Sequence, residues 1–156
     1  MNFYGCILRR GAQSQRLKRE RLGVILLERL FNKPCDPGAL SPLTLAFIGD
    51  GVFDLFVREQ LVCQANCPVG VLHSTAVKSV CCQAQAEGLK KLLPILTEEE
   101  LSVYKRGRNA HTARTPKNAS SAEYHAATGL EALFGYLYLK GEIGRLRELF
   151  DHMRER

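Results

Sequence analysis

Two acidic residues stand where acids are costly to place. Around Asp50 the chain reads Leu45-Ala46-Phe47-Ile48-Gly49-Asp50-Gly51-Val52-Phe53, and around Glu131 it reads Ala126-Ala127-Thr128-Gly129-Leu130-Glu131-Ala132-Leu133-Phe134-Gly135-Tyr136-Leu137. Both runs are apolar on nearly every side, and a helix apolar all round is expected to be buried. An ionised carboxylate in such surroundings costs several kcal/mol unless it is paired, hydrogen-bonded or bound to a metal. Cations are scarce nearby: Arg58 is eight residues from Asp50, and Lys140 is nine from Glu131. Three fates stay open. The acids could form internal ion pairs, they could be neutralised by raised pKa values that make them acid/base groups, or they could share a hard divalent cation with water, as magnesium prefers. Asp54, one turn beyond Asp50, lies on the same helix face, either as a supporting acceptor or as a plain surface acid.

The second chemistry is cationic. Residues 104–118 carry Lys105, Arg106, Arg108, Arg114 and Lys117 and no acid at all. A short stretch without carboxylates suits phosphate binding, with a solvated loop as the plain alternative. Lys105, Arg106 and Arg108 would also offset a helix dipole at its C-terminal end, which leaves Arg114 and Lys117 unexplained. Residues 1–31 form another basic block, with 7 positive side chains against 2 negative. The whole chain has 22 Lys and Arg against 16 Asp and Glu, a formal charge of +6 and a pI near 9.1. That balance favours a polyanionic partner without identifying one.

These groups must be positioned by helices. Apolar residues recur at helical spacing almost throughout, with no sustained alternation of period two. Leu22, Ile25, Leu26, Leu30 and Phe31 suggest a first amphipathic helix, ended by the turn-forming Lys33-Pro34-Cys35-Asp36-Pro37-Gly38. Ser41 then Pro42 is an N-cap with proline at the first helical position, so a helix should run from there to about Gln64. A further helical region is expected over 69–93, before Pro94. Thr97 with Glu100 and Ser120 with Glu123 are capping boxes for two more helices, separated by a loop over 107–120. Glu142 to Arg154 makes the last. Gly49, Gly51, Gly129 and Gly135 lower helix propensity, by roughly 1 kcal/mol each, and are easier to explain if another helix or a ligand approaches closely there.

At 156 residues, 46% apolar and 24% charged, the chain suits one globular domain and excludes wholesale disorder. It has no run of about 18 uncharged apolar residues, which excludes a membrane-spanning helix. The six cysteines (6, 35, 63, 67, 81 and 82) fit neither a disulfide scaffold nor a zinc site, because adjacent Cys81 and Cys82 diverge on a helix. They are expected to be reduced, mostly buried thiols in the cytosol.

The string from Leu45 to Leu55 resembles the signature helix of the ribonuclease III catalytic domain, in which a Gly-Asp pair carries the essential aspartate. Lys105-Arg106-Gly107-Arg108-Asn109-Ala110, with Thr115-Pro116-Lys117-Asn118-Ala119, is similar to the basic segment of the family's short form, Mini-ribonuclease III. The string from Ala127 to Leu137 resembles its second acidic helix. The likeness covers about residues 40–150, with all three strings in the same order. It implies an all-α, ribonuclease III endonuclease-domain-like helical bundle over 39–156, behind a basic N-terminal arm and first helix in 1–38. It implies that Asp50 and Glu131 are the catalytic pair and bind magnesium, with Asp54 and Thr128 as supporting groups. Longer family members carry further glutamates where this chain has Leu43 and Ala46, and an aspartate where it has Thr128, so more coordination falls to water and substrate.

The activity so implied is magnesium-dependent hydrolysis of double-stranded RNA in the cytoplasm, leaving 5′-phosphate and 3′-hydroxyl ends. Its implied substrate is precursor 23S ribosomal RNA, with room for a ribosomal-protein helper. Lys105, Arg106, Arg108, Arg114 and Lys117 would line the RNA groove; of the histidines, readable as core, surface or RNA-contacting groups, His111 is the best RNA candidate. Cutting both strands needs two sites, which a homodimer supplies; Phe47 resembles the family's interface aromatic, while Phe53 and Phe56 could be interface or core. The chain reaches only Arg156, so no double-stranded-RNA-binding domain is expected. The alternative is a ribonuclease III-like module that holds RNA on the ribosome without cutting it, against which the retention of both acids argues. A carboxylate-bridged helical metalloprotein would need Glu-x-x-His pairs, and none occurs.

Overall fold

Ser41 begins the first described helix as its sequence requires: its hydroxyl accepts from the Thr44 N–H, and Pro42 fills the first helical position, where no donor is needed. The structure is a computed structural model, and it describes residues 29–31, 33–110 and 120–155. Six helices follow one another: α1 (Pro42–Gln64), α2 (Val69–Val80), α3 (Cys82–Leu92), α4 (Glu98–Arg108), α5 (Ser121–Lys140) and α6 (Ile143–Arg154). Short 3-10 turns lie at Pro37–Ala39 and Leu93–Ile95. All regular structure among the described residues is helical, so the fold class is the expected one. Both capping boxes form, Thr97 with Glu100 and Ser120 with Glu123. At the far end of α5, Gly141 takes φ +82, and the Gly141 and Glu142 N–H groups close on the Tyr138 and Leu137 carbonyls. That reverses the chain into α6.

Helix α5 is the centre of the bundle. Its residues 127–130 and 132–137 are all buried, with α1, α4, α3 and α6 packed around it. Helix α1 presents Leu45, Ala46, Gly49, Val52, Phe53 and Val57 to α5. Phe53 meets Phe134 and Phe150 edge-on at 5.3 and 5.7 Å, and Phe56 lies 5.0 Å from Phe150, so both phenylalanines belong to the core. The opposite side of α1 has no cover among the described residues: Leu43, Leu55 and Val62 are exposed, and Phe47 is 85% exposed. Glu100, buried at the start of α4, is held by Arg145 at 2.8 and 3.0 Å, which ties α6 to α4.

Three expectations change. The helical region over 69–93 is divided, because Cys81 is extended (ψ 151) between α2 and α3. The break lets α3 turn a stripe of Gln85, Gly88, Leu89 and Leu92 inward, while α2 buries only Ala76; one straight helix would fix both on a single axis. The cysteines are not mostly buried. Cys35, Cys63 and Cys81 are exposed and Cys67 and Cys82 half-buried, because they fall in turns, at the break and on outer faces; Cys6 lies outside the described residues. Of the suggested first helix, Leu22, Ile25 and Leu26 lie outside the described residues, while Leu30 and Phe31 sit exposed in a bend. No helix among the described residues is long and apolar enough to cross a membrane.

Candidate active site

The site begins at a contact that only glycine permits. A methyl group at Gly49 would overlap the Glu131 carbonyl, and one at Gly135 would overlap the Leu45 carbonyl. Helices α1 and α5 therefore cross backbone on backbone. Asp50, next to the first notch, is brought to Glu131 across 80 intervening residues, close enough for its charge to act on the Glu131 carboxyl. A second notch joins α4: a Cβ at Gly107 would lie 2.9 Å from the Gly129 Cα, and one at Gly129 would press on Tyr104. This brings the basic end of α4 onto the same stretch of α5. The expected close approach is thus present at Gly49, Gly129 and Gly135. Gly51 instead faces open space.

The two acids are unequal. Glu131 is half-buried, and its carboxyl is pushed up to about 7, by burial first and by the charge of Asp50 second. The Gln85 amide is the neighbour that draws it back down. Asp50 is exposed, contrary to the burial suggested by its apolar neighbours, because the described residues cover α1 on one side only. Neither acid forms an ion pair among the described residues, so the first of the three fates does not apply there. Asp54 is bound at the surface by Arg58 at 2.6 Å. Thr128 is buried, and its hydroxyl donates to the Tyr124 carbonyl of its own helix.

Two further residues lie near the pair, and the sequence did not assign either of them to this site. Cys82 lies close enough that Glu131, after burial, helps push its thiol pKa up. Gln85 is buried on α3. The available signal was a register: Gln85 stands at the head of the inward stripe completed by Gly88, Leu89 and Leu92, where an apolar residue is the norm.

No group of three His, Cys, Asp or Glu that could hold a metal occurs among the described residues. Two hard oxygen donors without a cationic neighbour, beside a buried amide lacking a partner, fit a small divalent ion that keeps several of its waters. On the adjoining face, Lys105, Arg106 and Arg108 are exposed on the last turns of α4. Lys105 and Arg106 line an open groove of about 680 Å³ with Pro42, Glu98, Leu101, Ser102 and Asn109. The Arg108 guanidinium stands 5.8 Å from the centre of the Tyr104 ring. Arg114, Lys117 and His111 lie outside the described residues.

The ribonuclease III domain family matches residues 43–142. The Mini-ribonuclease 3 of Thermoanaerobacter sp. (strain X514) is 49% identical over 72% of this chain and 80% of the relative. That of Symbiobacterium thermophilum is 49% identical over 74% and 89%, and that of Brevibacillus brevis 45% over 73% and 85%. Among solved structures, protein FN1578 of Fusobacterium nucleatum superposes with a TM-score of 0.67 at 29% identity, over 72% of this chain and 90% of that one. Matched over its whole central span, the chain belongs to the ribonuclease III family, on the branch of the Mini-ribonuclease 3 proteins.

Proposed function

We propose that the protein is a magnesium-dependent endoribonuclease that cuts double-stranded RNA, with Asp50 and Glu131 as its catalytic pair. The observation that carries this reading is the backbone crossing at Gly49 and Glu131, which brings Asp50 close enough for its charge to act on the Glu131 carboxyl, with neither acid in an ion pair among the described residues. When bound, magnesium supplies the positive charge that activates water against a backbone phosphate and steadies the leaving 3′-oxygen, giving 5′-phosphate and 3′-hydroxyl ends. Asp50, exposed, faces the incoming phosphate and sets the charge of the site. Glu131, recessed, must lose its proton before it can serve as an anionic ligand. Lys105, Arg106 and Arg108, with Arg114 and Lys117, hold the phosphates of the duplex, whose major groove is too narrow for side chains to read, so that recognition falls to phosphates and 2′-hydroxyls.

Both strands are cut when two copies face opposite strands. The uncovered side of α1 is the self-complementary surface for a homodimer, and Phe47 is its anchor. The ends of precursor 23S ribosomal RNA are the proposed substrate, in the cytoplasm and with a ribosomal protein as helper. The deciding experiment incubates duplex RNA with the wild-type chain, Asp50→Asn and Glu131→Gln, with and without magnesium. Wild type should cleave only with the ion, and both variants should bind RNA without turnover. RNA binding by the wild type with no cleavage at any magnesium concentration would make the protein an RNA-holding module instead.

A further inference from the structure

We infer that Gln85 is a positioning residue for Glu131, its amide N–H orienting the carboxylate; the inference rests on the nuclease reading above and adds a third helix to its site. Gln85 is only 1% exposed, and neither its amide nitrogen nor its amide oxygen finds a hydrogen-bond partner among the described residues. Gln60 and His125 each leave a single buried polar atom unpaired, whereas Gln85 leaves both. A buried amide without partners is destabilising, and native proteins rarely keep one without a reason. Packing offers no reason here. The remaining inward positions of α3, Gly88, Leu89 and Leu92, are small or apolar, and a leucine at 85 would complete the stripe. Chemistry does offer one, because α3 packs on α5 and brings the Gln85 amide near enough to act on the Glu131 carboxyl without a hydrogen bond already formed between them.

The consequence is directional. An amide N–H donates to one carboxylate oxygen, restricts rotation of the group and favours its charged form, leaving the other oxygen to face the ion. Groups that orient a ligating carboxylate in this way typically change metal affinity or activity by about 10–100-fold. Glutamine does this without adding a charge, which a third carboxylate or a lysine could not.

The test uses the full chain as wild type, Gln85→Leu and Gln85→Met, with three measurements: melting in EDTA, Mn²⁺ binding without RNA by electron paramagnetic resonance, and single-turnover cleavage of duplex RNA at saturating magnesium. Gln85→Leu should melt at or above wild type, bind Mn²⁺ at least about tenfold more weakly, and cleave about 10–100-fold more slowly with RNA affinity unchanged. Gln85→Met, with its adaptable thioether, should do the same and decides the matter if the leucine variant does not fold. A folded variant that binds Mn²⁺ and cleaves within about twofold of wild type overturns the inference, being far below the effect of such an orienting group. Wild type that binds Mn²⁺ yet never cleaves overturns the nuclease reading, while the Mn²⁺ comparison still decides Gln85. Wild type that binds no Mn²⁺ overturns both.

Discussion

Replacing Glu131 with glutamine keeps the shape of the side chain and removes its charge, and it is expected to stabilise the metal-free protein at alkaline pH. In the fold, the carboxyl is pushed from an ordinary value near 4.5 to about 7, by burial first and by Asp50 second. Each tenfold in proton affinity is worth about 1.4 kcal/mol. Ionising Glu131 in the native state therefore costs about 3 kcal/mol relative to the unfolded chain. Between those two values the native state keeps a proton that the unfolded chain has released, so stability falls as pH rises through the window. Below it both states are protonated and the penalty is absent; above it both are ionised and the penalty is complete. Urea unfolding in EDTA from about pH 4 to about pH 8 measures this directly, because every other group titrates in both proteins. The advantage of glutamine should grow from near zero to about 3 kcal/mol across that range, each kcal/mol moving Tm by roughly 2–4 °C. Magnesium should stabilise wild type at the alkaline end and leave the variant unmoved. Parallel pH profiles, with the variant no more stable at about pH 8, would refute the reasoning and place Glu131 in water.

Gly49→Ala should cost about 1–3 kcal/mol or more in urea unfolding, because a methyl group there meets the Glu131 backbone, which cannot swing aside. Gly51→Ala, with nothing near its new methyl group, should instead gain up to about 1 kcal/mol from helix propensity alone. Alanine at Lys105, Arg106 or Arg108 should each lower the log–log salt dependence of duplex-RNA affinity by about 0.7–0.9; filter binding across a salt series checks this, and an unchanged slope removes that residue from the groove. Phe47→Ala should leave unfolding of the single chain nearly unaffected, since the ring is 85% exposed. It should weaken self-association in sedimentation and turn double-strand cuts into single-strand nicks.

The fold was legible wherever a backbone rule acts locally. Ser41-Pro42, Thr97 with Glu100 and Ser120 with Glu123 each state where a helix begins, and the helices begin there. The break at Cys81 was not legible, because no proline or glycine marks it and its cause is the direction in which α3 must face the core. The candidate pair was legible from its apolar surroundings, and Glu131 is half-buried as those surroundings require. The same rule misplaced Asp50. Periodicity reports that α1 is apolar on all sides, and it cannot report which side another helix covers. Gln85 escaped notice for the converse reason: glutamine is unremarkable on a helix until its register shows that it faces inward.

That one-sided covering of α1 explains how two acids of opposite character share a site. Glu131 stands on the most enclosed helix of the bundle, where desolvation favours its protonated form; Asp50 stands on a helix open to solvent. Burial and the charge of Asp50 together hold the Glu131 proton into the neutral range, whereas an exposed pair would offer charge without enclosing anything. Joining one of each through a glycine notch holds the geometry by backbone contact, so neither side chain has to be fixed by a salt bridge that would neutralise it. The notch tolerates no Cβ at Gly49 or Gly135, and the distance between the acids is therefore set by the closest approach that two helices can make. On the proposed reading, a cation arriving at the pair displaces the proton that Glu131 partly keeps near neutrality and takes its place.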